Sequence, residues 1–318
     1  MKSKKFSLSD LSQYMVIISV VLVFLVFTVL NPSFVSAYSL QNLMVEISPL
    51  ILLACGLSFI IFTGGIDLGA GAMVSATCVI SGLYVSQFGN GIIPIMLVIG
   101  AVLGLLNGCI VAKLKIPSFI VTLCTQNLWA FIALTLCPNG SVAVDLSFRK
   151  EIGWMTSKLA GIPIIFFFAL VSIAVLFIFQ QYTSSGRAIF AVGANIRATR
   201  LAGIDTDKVQ IMAFVVSGAC SALAGALYAY KQKSAVPTIG DALTLSAIAS
   251  IALGGTSMAG GRGSVLRTAI GVVTITAITS GLNMMGIDPL WKNIIIGVIL
   301  IVAVYLNSDT KGRDIIVK

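Results

Sequence analysis

The chain has 318 residues, no histidine, a net charge of +9 and 58% hydrophobic residues. Only 10% of its residues are charged, against roughly 25% in a soluble domain, and its mean hydropathy is +1.06. This excludes an ordinary soluble protein, and the missing imidazole removes the commonest general base and metal ligand.

Charge-free apolar runs long enough to cross a bilayer as helix, about 20 residues, recur along the whole sequence. They predict an all-α polytopic membrane bundle of about ten spans, one transmembrane domain over 1–318. A membrane β-barrel would show short alternating segments instead. The spans are read at 14–30, 44–62, 68–87, 92–112, 117–137, 161–181, 209–230, 242–259, 264–283 and 289–306. The first resembles a signal peptide, with "VSA" at 35–37 as a tolerable cleavage site. Its apolar stretch exceeds the usual roughly 7–15 residues, and "NPSF" separates it from that site, so it is read as a span.

With ten spans and an inner N-terminus, the inner cations are Lys2, Lys4, Lys5, Lys113, Lys115, Arg187, Arg197, Arg200, Lys208, Arg262, Arg267, Lys311, Arg313 and Lys318. The outer ones are Arg149, Lys150, Lys158, Lys231, Lys233 and Lys292. The bias supports both termini inside, and explains the positive charge without nucleic acid. Cys55, Cys78, Cys109, Cys124, Cys137 and Cys220 lie within or beside apolar runs and form no CxxC. They read as small core residues, so neither a disulfide nor a metal site is expected.

Gly100, Gly104 and Gly108 in span four, and Ser217, Ser221 and Gly225 in span seven, recur every four residues. Such stripes let helices approach closely in lipid, and packing within one bundle accounts for them.

Two glycine-rich loops follow apolar runs, "TGGIDLGAGAM" at 63–73 and "LGGTSMAGGRGSV" at 253–265. Loose echoes downstream (Leu83 with Leu282, Pro94 with Pro289) suggest a weak internal repeat of spans 2–5 and 7–10, a habit of transporters. Glycine permits positive φ and close approach, and irregular backbone at membrane depth survives only beside protein or water. Gly64, Gly65, Asp67, Gly254, Gly255, Gly260 and Gly261 are therefore the candidate residues of the translocation pathway. Asp67 has two readings, a pathway carboxylate and a helix cap at the start of span three. The second loop lacks the Lys of a phosphate-binding loop, having Gly261 there, and follows no strand. The chain alone is not expected to bind ATP or any other cofactor, or to carry a catalytic residue.

Between spans six and seven stands "GRAIFAVGANIRATRLAGID", 186–205. Gly193 breaks the chain, Asn195 caps a short helix over 196–202, and Gly203 sits where a left-handed C-cap belongs. A short, rigid, basic helix on the inner face suits the docking of another protein.

These residues carry a resemblance. The segment is similar to the cytoplasmic coupling segment of bacterial ABC importer permeases of the ribose type, the second carbohydrate-uptake family. "GGIDLGAGAM" resembles that family's G-G-x-D-L-S-V-G, "IPSFIVTL" at 116–123 its P-x-F-[IV]-x-T-L, and, in a split form, "SAIASIALGGTSMAGGRGSV" at 246–265 its "AVVLGGTSLxGGxGSV", in order over about residues 45–308. The resemblance implies an inner-membrane subunit that imports a sugar. It pairs with a second permease, binds a cytoplasmic ABC ATPase that hydrolyses the ATP, and receives substrate from an extracytoplasmic sugar-binding protein. It places ATPase contacts at Gly193, Asn195, Arg197, Ala198, Gly203 and Ile204 within a coupling segment over 182–208, and Arg200 joins them as a basic neighbour. Gly69 and Ala70 replace the usual Ser-Val, and Ala130 and Phe131 stand where Arg-Gly is common. These departures bear on the cargo, not on the family.

A non-sugar solute such as a branched-chain amino acid or nucleoside is the nearest alternative, and an ion-coupled secondary carrier using Asp67 the next. Residues 138–160 form the longest outer loop, and Arg149 and Lys150 there, with Lys231 and Lys233, are the candidate docking cations for the binding protein.

Overall fold

The structure, a computed structural model, describes residues 8–307. Among them lie thirteen α-helices: α1 (Leu8–Leu30), α2 (Ala37–Phe62), α3 (Ala70–Phe88), α4 (Ile92–Leu114), α5 (Ser118–Leu136), α6 (Leu146–Ile152), α7 (Ile164–Tyr182), α8 (Ser184–Ala194), α9 (Ile196–Leu201), α10 (Thr206–Gln232), α11 (Leu243–Leu253), α12 (Val265–Met284) and α13 (Pro289–Asn307). Two-residue strands β1 (Val142–Ala143), β2 (Lys158–Leu159), β3 (Ile162–Pro163) and β4 (Ser234–Ala235) pair antiparallel, β1 with β4 and β2 with β3. The chain is an all-α polytopic membrane bundle. The terminal cations Lys2, Lys4, Lys5, Lys311, Arg313 and Lys318, on which part of the inner charge bias rests, lie outside the described residues.

Each expected span has a helix, with two changes of length. The second begins earlier, at Ala37, where the Ser36 hydroxyl accepts from the Ser39 amide at 3.2 Å. The eighth is shorter. α11 has 11 residues, about 16 Å of helix, against a hydrocarbon core of about 30 Å. Gly254 and Gly255 end it, Gly255 at φ +74°, and non-helical chain over 236–242 completes the crossing.

α2 is the centre. Its most apolar 18-residue window is 89% buried, against 22% for α7. A helix apolar on every side belongs inside a bundle. α10 lies antiparallel to it, with Lys231 beside Glu46 and Cys220 beside Gly56. The glycine stripe of α4 packs on α10: a Cβ at Gly104 would strike the Phe214 carbonyl, and one at Gly218 would lie 2.9 Å from Gly104 Cα. Gly225 of α10 sits against α3, where a Cβ would stand 2.5 Å from the Val74 carbonyl oxygen.

Two breaks interrupt the bundle, before α3 and before α11. Their backbone amides are met by side chains, as membrane depth requires. Ile66 and Leu68 donate to Ser118 Oγ at 2.9 Å and Thr122 Oγ1 at 3.1 Å. Gly71 donates to Thr244 Oγ1 and Gly240 to Ser75 Oγ, each at 2.9 Å. The second pair joins the two breaks to each other. A long helix, a break and a second helix thus occur twice in opposite directions, α2–α3 and α10–α11, in register with a repeat of spans 2–5 and 7–10. The glycine-rich loops are not its equivalent parts, contrary to expectation. One joins α2 to α3 and the other α11 to α12, because the second half carries its break before α11.

Gly218→Leu forces a side chain into the α4–α10 backbone contact. The expected result is a loss of about 1–3 kcal/mol or more, read as a lower melting temperature and less monodisperse protein in detergent.

Candidate coupling joint and pathway residues

α8 and α9 form the projection at one end of the bundle. Thr183 caps α8 by accepting from the Gly186 amide at 2.9 Å, and Asn195 caps α9 by accepting from the Ala198 amide at 3.0 Å. Gly203 takes φ +83° as the left-handed stop. Asp205 then caps α10 through the Asp207 and Lys208 amides, and the Lys208 amide holds its carboxyl below the ordinary range. The capped helix over 196–201 stands where the sequence places it.

α8 was not foreseen, and it changes the role of Gly193. That residue does not break the chain; it lies inside α8 at a close approach. A Cβ there would collide with the Phe62 carbonyl and stand 2.5 Å from the Gly261 amide nitrogen. The Gly261 amide itself donates to the Phe62 carbonyl at 2.9 Å. A Cβ at Gly260 would lie 2.6 Å from the Gly64 nitrogen. Gly64, Gly260 and Gly261 have φ of +81°, +87° and +73°, a region that favours glycine. The two glycine-rich loops and α8 thus meet backbone to backbone, and Phe62 stacks on Phe190 of α8 with centroids 4.7 Å apart.

Arg197, Ala198 and Gly203 are exposed, as is Leu201 at 90%, while Ile204 is half-buried. Arg200 is less free than its charge suggested. It donates to Thr206 Oγ1 at 2.9 Å and pairs with Asp207 at 3.5 Å, and Lys115 at the end of α4 pairs with the same Asp207 oxygen at 2.6 Å. Leu201 had no mark in the sequence, since one leucine in an apolar chain is unremarkable.

The remaining expected pathway residues are dispersed around this joint. Gly65 begins the break, Gly254 packs on α12 where a Cβ would lie 2.6 Å from the Arg267 carbonyl oxygen, and Gly255 turns the chain. Asp67 is 4% exposed and accepts from the Gly69 amide at 2.8 Å. This is a turn bond in the break ahead of α3, whose N-cap is Gly69 and carries no side-chain cap, and the carboxyl is buried there. On α5, sequence reasoning missed Gln126 and Asn127, both exposed; two adjacent amides inside an apolar run were the available signal.

At the opposite end, the loop between α5 and α7 folds onto the bundle. β1 pairs with β4, Trp154 Nε1 donates to Asn90 Oδ1 at 2.9 Å, and Gln41 Nε2 donates to the Gly161 carbonyl at 3.0 Å. Lys150 is exposed, and Arg149 donates to the Val144 carbonyl at 2.9 Å. Lys233 is half-buried at φ +51°, with its carbonyl accepting from the Val144 amide at 3.0 Å. Lys231 departs from expectation: its side chain is 10% exposed and pairs with Glu46 at 2.6 Å. It is committed to the core, and is corrected from a docking cation to an internal partner.

Asp67→Asn keeps an acceptor for the Gly69 amide and is expected to melt within about 0.5 kcal/mol of wild type, whereas Asp67→Ala frees that amide and is expected to cost about 1–3 kcal/mol. Thermal unfolding of the detergent-purified protein separates the two.

The chain matches the family described as branched-chain amino acid transport system / permease component over residues 39–304. It is 32% identical to the ribose import permease protein RbsC of Bacillus subtilis (strain 168), over 89% of this chain and 88% of that protein. It is 31% identical to the galactose/methyl galactoside import permease protein MglC of Escherichia coli (strain K12), over 94% of each. No solved structure matches it. An all-α membrane bundle, two glycine-rich loops and a capped projecting helix, all inside the matched residues, accord with that finding: the chain belongs to the branched-chain amino acid transport system / permease component family, and is a multi-pass membrane permease subunit.

Proposed function

We propose that the chain forms the membrane pathway of an ATP-driven bacterial importer for a sugar, with α8 and α9 as the docking element of a separate cytoplasmic ATPase. The observation that carries this is the joint at Gly193. A docking helix transmits force only if it is rigidly attached, and here it is wedged against the ends of α2 and the α11–α12 loop. The Arg200–Asp207–Lys115 cluster ties it also to α10 and α4. Exposed ion pairs of this kind are worth about 0–1 kcal/mol, so the backbone joint is the stiffer link. Leu201, Ile196 and Arg197 present an apolar and cationic surface to the partner.

The α8–α9 end carries Lys113, Lys115, Arg187, Arg197, Arg200, Lys208, Arg262 and Arg267, which supports its facing the cytoplasm across the inner membrane, with both termini inside. Gln126 and Asn127 lie in mid-helix on the open face of α5. Amides there do not suit lipid chains, which supports a second permease subunit closing a shared aqueous pathway. The outer loop, with exposed Lys150, is the platform for an extracytoplasmic binding protein. The sugar reading draws on the named cargo of the relatives.

Purification of the tagged chain from native membranes is expected to bring down an ATPase and a second permease; recovery of the chain alone overturns the reading. Leu201→Asp is expected to lower ATPase recovery and uptake at least about tenfold, consistent with losing one interfacial anchor, while insertion stays normal. Gly193→Val is expected to retain the ATPase yet abolish uptake, because the docked helix no longer seats on the loops. Uptake and co-purification measured together distinguish the two variants.

A further inference from the structure

At the end opposite α8 and α9, a cleft of about 250 Å³ opens between α2, α12 and α13. Its lining includes Asn42, Glu46, Thr276, Thr279, Asn283 and Lys292. A carboxylate and an ammonium in the lining suit water or a polar ligand and not lipid chains. Nor is the cleft an ordinary small-molecule pocket, which is lined mainly by apolar side chains. Almost every wall group here donates or accepts hydrogen bonds.

One wall group has unmet capacity, and another is held in position. Thr276 is 6% exposed, and its hydroxyl has no hydrogen-bond partner among the described residues. On the same helix Thr274 bonds the Ile270 carbonyl and Thr279 the Thr276 carbonyl, while Thr268, far from the cleft, is likewise unpartnered. A buried unsatisfied hydroxyl is unfavourable and calls for an explanation. Glu46 is held in place from behind, with Oε2 bonded by Lys231 at 2.6 Å.

We propose that this cleft receives a neutral polyhydroxylated solute of monosaccharide size on its way into the pathway. The Glu46 carboxylate accepts from hydroxyl groups, Thr276 and the Asn42 and Asn283 amides complete the bonding, and Lys292 closes the rim. The volume lies just below the roughly 300–1,000 Å³ of pockets for larger ligands, which fits one sugar ring and not an oligosaccharide. A branched-chain amino acid fits less well. Its ammonium would compete with Lys231 for Glu46, and Val45 is the only large apolar side chain in the lining for its branched group. The outer loop bonds Gln41 through Gly161 and Lys158, one residue from Asn42, so a protein docked on that loop acts on the wall of the cleft. The assignment rests on the importer reading above and names the place where its cargo enters.

The test uses Ser280→Cys, a cleft position, with Cys109→Ser and Cys124→Ser to silence the more accessible native thiols. The full transporter in proteoliposomes is labelled from outside with a membrane-impermeant maleimide, alone or with ribose, galactose or leucine. Labelling slowed by either sugar but not by leucine is expected, and Thr276→Val is expected to raise the half-protecting sugar concentration about tenfold, the equivalent of one hydrogen bond. No labelling, no protection by either sugar, or protection by leucine as strong as by sugar overturns the inference. A separate measurement, ATP-driven uptake of the same three solutes by the wild-type complex, tests the importer reading without the variants: protection by sugar together with uptake of leucine alone would overturn that reading and not the cleft.

Discussion

The structure turns on a contact between backbones. At the end of α2 the Phe62 carbonyl accepts from Gly261, and the helix carrying Gly193 lies directly on the same oxygen. No side chain fits between these segments. Gly64, Gly260, Gly261 and Gly193 are needed together, because a Cβ at any one of them meets another segment's backbone closely. In lipid there is no hydrophobic force between helices, and close approach through small residues is a principal means of holding them. The joint therefore fixes the projecting helices to the bundle without long side chains, whose rotamers would yield under load.

The same economy runs through the bundle. α10 reaches α4 through Gly218, α2 through Cys220 and Ser217, and α3 through Gly225. Small residues on three faces of one helix give it three close neighbours. The two breaks remain possible because hydroxyls stand in for missing helical partners: Ser118, Thr122, Thr244 and Ser75 each accept from a backbone amide that a broken helix has freed. Removing such an acceptor would leave an amide unpaired away from water, at about 1–3 kcal/mol. The breaks are thus built sites, held to one another across the two halves.

What could be read in the sequence was whatever a local rule governs. Apolar length gave the spans, and the caps of α9 at Asn195 and Gly203 followed from side-chain and φ preferences within a few residues. Four segments in fixed order gave the family. What could not be read depends on long-range contact. Gly193 looked like a breaker because a glycine in a helix and a glycine in a turn are the same letter; only Phe62, 131 residues away along the numbering, reveals which it is. Lys231 counted as an outer cation until Glu46, far along the chain, was found against it. The cleft was invisible for the same reason, since Asn42 and Glu46 sit in the first fifth of the chain and Thr276, Asn283 and Lys292 in the last.

Two helices connect the cleft to the joint. α2 carries Glu46 in one wall of the cleft and ends at Phe62, 16 residues and about 24 Å further on. α12 carries Thr276 in the facing wall and begins at Val265, directly after the loop that holds Gly261. α2 is buried over nearly all of this length, but Pro49 lies between Glu46 and Phe62 and removes one helical hydrogen bond there, so a displacement of the Phe62 end is taken up in part at that turn. Coupling between two sites is reciprocal for binding equilibria. If a partner seated on α9 changes the width of the cleft, then a solute that fits the cleft must change the affinity for that partner by the same factor. α2 and α12 are the elements shared by the cleft and the joint, and Pro49 of α2 is the place where a motion of one end relative to the other is absorbed.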